Sequence, residues 1–62
     1  MSEDLVLLRE YADSLGLIGK ELDNDDWAEL RAELNNAGEH GLYGFVRALK
    51  SPKELEEYLG EE

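Results

Sequence analysis

A chain of 62 residues has room for one hydrophobic core, so residues 1–62 read as a single domain whose net stability is on the order of 3–5 kcal/mol. With no cysteine and one histidine, disulfides, Cys-based zinc sites and the usual zinc ligand sets are excluded; apolar packing must hold the fold, and no cofactor is expected. Sixteen acids against six bases leave a net charge of −10, which repels phosphate backbones and anionic lipids and favours protein partners with a basic surface.

The first predicted helix covers residues 3–15. Ser2 is a good N-cap, and Glu3 and Asp4 sit where the positive end of the helix dipole favours acids. Leu5, Leu8, Ala12 and Leu15 recur at helical spacing with Tyr11 on the border, while Val6 falls among polar residues. Gly16 is the natural stop, because the residue after a helix often needs positive φ. The segment Leu17-Ile18-Gly19-Lys20-Glu21-Leu22 reads as a loop folded back on the core, since two large apolar residues follow a helix-ending glycine.

Asp23 or Asn24 caps a second helix over residues 25–36, with aspartates in its first turn and Gly38 as its stop. Trp27, Leu30, Leu34 and Ala37 share one face of it. Beside that face, Asp26, Glu29 and Glu33 form an acidic ridge at i, i+3 and i+7.

A third helix is expected over residues 39–50, and it is the richest stretch of the chain. At about 100° per residue, Leu42, Phe45, Val46 and Leu49 fall on one core-facing side. Gly41, Gly44 and Ala48 form an adjacent strip with almost no side chain, and Tyr43, Arg47 and Lys50 stand opposite. Glycine within a helix costs about 1 kcal/mol relative to alanine, so the strip is expected to admit a close neighbour: a helix of the same chain, or else a partner. Then Ser51-Pro52-Lys53-Glu54 supplies a Ser cap, a Pro at N1 and a Glu able to complete a capping box, starting a fourth helix over residues 52–59. Leu55, Tyr58 and Leu59 give it one apolar face, expected to dock on helices 1 and 3. Val6, Ile18 and Val46 are the only Val or Ile residues, and no alternating run predicts a strand. The expected fold is all-α: a compact bundle of three principal helices plus a short C-terminal one.

Chemistry is scarce. Nucleophilic triads need Ser, Cys or Thr beside a base, yet His40 is the only imidazole and the chain has neither Cys nor Thr. A calcium loop begun at Asp23 would need Gly at its sixth position and Glu at its twelfth, where Ala28 and Leu34 stand. No catalytic residue and no metal ligand set is therefore assigned. No apolar run approaches the roughly 20 residues of a membrane span, and Met1-Ser2-Glu3-Asp4 lacks a signal peptide's basic start, so a cytoplasmic location is expected.

Asn35-Asn36-Ala37-Gly38 leading into an apolar helix resembles part of ubiquitin-associated domains, which are three-helix interaction modules without enzymatic activity. The Gly-aromatic loop of that family is not matched, because Leu15-Gly16-Leu17 stand in its place.

The residues themselves point to a small acidic, non-enzymatic module that binds and modulates a basic protein partner. An inhibitor or DNA mimic of a nucleic-acid-binding protein is one form, with Asp26, Glu29, Glu33, Glu54, Glu56 and Glu57 standing in for phosphates. Tyr43, Arg47, Lys50 and Gly44 on helix 3 are the first candidate contacts, and Asp26, Glu29 and Glu33 the second. The chain itself is expected to be a monomer or a weak homodimer. The alternative is a structural or designed mini-bundle with no dedicated ligand, or a self-associating subunit.

Overall fold

The computed structural model describes residues 3–60, in which four α-helices follow one another: α1 (Glu3–Ser14), α2 (Asn24–Asn36), α3 (His40–Ala48) and α4 (Pro52–Leu59). The fold is all-α, and no strand occurs among the described residues. The Ser2 cap lies outside those residues.

Helix ends are set by local chemistry. α1 closes with Leu17 N–H donating to Ala12 O at 2.9 Å and Gly16 N–H to Asp13 O at 3.0 Å, with Gly16 at φ 73°. α2 repeats the arrangement: Glu39 N–H donates to Leu34 O at 2.9 Å and Gly38 N–H to Asn35 O at 3.1 Å, with Gly38 at φ 77°. Both are Schellman closures, whose left-handed residue only glycine adopts without steric cost. The first also explains Leu17. The turn brings it back over buried Ala12, and Leu17 is only 2% exposed.

At the other end of α2, Asp26 N–H donates to Asp23 Oδ1 at 2.8 Å and Asp23 N–H to Asp26 Oδ2 at 3.2 Å, a reciprocal capping box. Ser51 Oγ accepts from Glu54 N–H at 3.3 Å to cap α4, with Pro52 at its start; the reciprocal half of the expected box is not formed.

The core is built mainly of leucine. Leu8 and Ala12 of α1, Leu30 and Leu34 of α2, Leu42 and Val46 of α3, and Leu55 and Leu59 of α4 are buried, joined by Leu17, Leu22 and Leu49 from the connections. Two polar bonds tie elements together around this core. Leu22 N–H donates to Glu56 Oε2 at 3.2 Å, holding the long α1–α2 loop on α4. The Trp27 indole N–H donates to Val46 O at 2.9 Å, so the half-buried ring satisfies its donor while tying α2 to α3.

Helix 3 departs from expectation in three ways. It ends at Ala48, because Leu49 turns extended (φ −64°, ψ 153°) and buries its side chain, and Ser51 must be extended ahead of Pro52. Lys50 therefore lies beyond the helix. Phe45, expected in the core, is 39% exposed. Gly41 and Gly44 admit no neighbouring helix: a Cβ built on either meets nothing within 4 Å.

The cause of the last two is the packing order. α3 packs chiefly on α2, whereas α4 packs on α1 and α2 rather than on α1 and α3. Only the side of α3 carrying Leu42 and Val46 is buried, with Leu49 tucked in just past the helix end. Ala37, grouped with the apolar face of α2, is exposed because it serves as that helix's C-cap.

Candidate protein-interaction surface

Going around α3 at about 100° per residue, the exposed surface runs from Phe45 through Gly41, Ala48 and Gly44 to His40 and Arg47. One side of the helix thus offers backbone and small side chains, with an aromatic ring along one edge. Phe45 does not lie loose: its ring meets Tyr58 of α4 edge to face, with centroids 5.0 Å apart and planes at 82°. Because α3 barely touches α1 or α4, a groove of about 330 Å³ lies between them, with both rings in its lining. Its walls are Asp4, Leu5 and Leu8 of α1, Gly41, Leu42 and Phe45 of α3, and Tyr58 of α4. No Lys or Arg lines it.

The residues singled out from sequence are distributed differently. Tyr43 is half-buried and packs against the core, Arg47 is exposed one turn further on in the last turn of α3, and Lys50 is exposed past the helix end. Gly44 lies in the middle of the uncovered face.

Of the acidic ridge, Asp26 is engaged in the α2 cap and pairs with Lys20 Nζ at 3.4 Å. The hydrogen bond from Asp23 N–H, and after it Lys20, holds the Asp26 carboxyl below its ordinary range, although partial burial opposes this. Glu29 is exposed, and Glu33 is half-buried. Tyr11 Oη donates to Glu39 Oε2 at 3.3 Å. Partial burial, then the carboxylates of Glu39, Glu33 and Glu10, hold the Tyr11 phenol above its ordinary value.

Sequence reasoning did not bring Phe45, Tyr58, Leu5 and Asp4 together as one groove. Their signal was present in part, since Phe45 stands at the border between the apolar side of α3 and its glycine strip. A second, more open apolar patch joins Val6, 45% exposed, and Ile18, 41% exposed, across a shallow depression walled also by Arg9, Glu10, Asp13 and Leu59.

The remaining cations are partly engaged. Arg9 Nε donates to Leu59 O at 3.1 Å, and the Arg31 guanidinium lies 4.9 Å from the Trp27 ring centroid. Among the described residues, no helix is long and apolar enough to cross a membrane.

No known protein family, no curated protein and no solved structure matches this chain.

Proposed function

We propose that this protein is a small acidic, non-enzymatic interaction module, a monomer or weak homodimer by itself, that binds and modulates a protein partner with a basic surface. The observation carrying this reading is the outer face of α3. A nine-residue helix keeps Gly41 and Gly44 with open space around them and leaves Phe45 39% exposed, on a body of net charge −10. Glycine weakens a helix, so Gly41 and Gly44 are not what the monomer's stability requires, and Phe45, though stacked on Tyr58, still leaves part of its ring to solvent. Together they supply a close-approach surface with an aromatic contact, and the negative field speeds encounter with a cationic partner.

Mimicry of DNA is the less favoured form. Asp26 and Glu56, two of the six carboxylates that would stand for phosphates, are engaged inside the fold. A reducing cytoplasmic compartment accords with a chain without cysteine.

The test is affinity capture from the source cell with the full chain as bait, eluted by a salt gradient and identified by mass spectrometry. Retained proteins should be basic and should release as ionic strength rises. Retention of neutral or acidic proteins only, insensitive to salt, contradicts the reading.

A further inference from the structure

The groove between α1, α3 and α4 identifies the shape and charge of its occupant. We infer that it receives one bulky apolar side chain from a cationic amphipathic helix of the partner, which lies along the glycine face of α3. This rests on the reading of the chain as a module for basic partners and specifies where and how that partner docks.

Three observations converge. The groove holds about 330 Å³ and is walled by Leu5, Leu8, Leu42, Phe45 and Tyr58, which suits a single Leu, Phe or Trp anchor. Its lining holds one charged residue, the carboxylate Asp4, and no cation; Glu54 lies outside the lining, one turn before Tyr58 on the same side of α4. Lysines or arginines one turn either side of the anchor reach these two carboxylates, whereas a second copy of this chain would bring another net charge of −10 against them. Thirdly, a Cβ at Gly41 or Gly44 meets nothing within 4 Å, so a helix axis can approach α3 toward the near end of the usual 8–10 Å range. An extended peptide would use less of that length, because helical spacing places anchor and flanking charges on one side at i±3 and i±4.

The experiment titrates the ¹⁵N-labelled full chain with an 18-residue helical peptide bearing lysines on its polar face and one Trp anchor. Matched peptides carry Ala for the anchor or Glu for the lysines. Amide shifts should centre on Gly41, Gly44, Phe45, Ala48 and Tyr58, with affinity at least about tenfold weaker for the Ala-anchor peptide and for the Phe45→Ala protein. Gly44→Ala should also weaken binding while leaving the fold intact, which separates docking from stability. Lysine-peptide binding that is indifferent to the anchor, or shifts centred on Val6 and Ile18, overturns this inference but leaves the broader reading standing. A Glu peptide bound as well as the Lys peptide, or no Lys-peptide binding at low salt, overturns both. A dimer in sedimentation equilibrium that Phe45→Ala dissolves assigns the groove to a second copy and refutes the cationic helix.

Discussion

Replacing Gly44 by Ala should make this protein more stable, and the structure gives the size of the gain. Gly44 lies inside α3 with φ outside the left-handed region, is exposed, and has open space within 4 Å of the Cβ that would be added. Nothing offsets the helix-propensity difference of about 0.8–1 kcal/mol, which for a domain of this size raises Tm by roughly 3–8 °C. Gly38→Ala is the matched control. At φ 77° the new side chain would clash with the following carbonyl and cost about 1–2 kcal/mol, lowering Tm. Thermal melts followed by circular dichroism, checked by urea titration, read both changes. A Gly44→Ala protein that melts below the wild type would mean that another segment fills that space, and the argument for an uncovered α3 face would collapse.

Three further outcomes follow from the same physics. Leu34 is completely buried, so Leu34→Ala should cost about 2–5 kcal/mol, comparable with the whole stability of so small a domain, and far-UV circular dichroism at about 25 °C should show a largely unfolded population. Because the Asp26 carboxyl is held below its ordinary range, its contribution is fully present above the ordinary carboxylate pKa and is lost as pH falls through the lower folded value. The stability difference between the wild type and Asp26→Asn should therefore shrink below about pH 4, and a difference constant with pH would contradict the cause assigned. With a net charge of −10, Tm should rise as salt goes from about 0.01 to 0.15 M, where the Debye length falls from about 30 to 8 Å; a fall would show that local pairs such as Lys20–Asp26 outweigh self-repulsion.

Much of this fold was legible because its punctuation is local. Asp23 before two aspartates, Asn36-Ala37-Gly38, and Ser51-Pro52 each act within one turn, and all three set helix boundaries as expected. The burial of Leu17 was legible too, once Gly16 was read as a helix end.

The candidate site was legible only in outline, since it depends on which neighbour covers which side of α3. Phe45 and Leu49 lie within about 40° of each other on the helical wheel, and periodicity treats them alike. Packing on α2 alone separates them: Leu49 leaves the helix and turns inward, and Phe45 stays at the rim beside Tyr58. The end of α3 at Ala48 likewise reflects competition between continuing the helix and starting α4 at Pro52, which moved Lys50 off the expected stripe. The glycines of α3 were recognised as needing a reason, but sequence offers no means of telling an internal neighbour from an external one.

That distinction is the centre of the account, and Phe45→Ala measured two ways tests it most directly. Phe45 is partly exposed and touches the fold at its rim, so truncation should cost well under the roughly 3–5 kcal/mol expected on removing a buried Phe. The same variant, as bait in salt-graded capture, should lose the basic partner that the wild type retains. A variant that melts far lower, or one that holds the partner as tightly as the wild type, would contradict a binding role for this face.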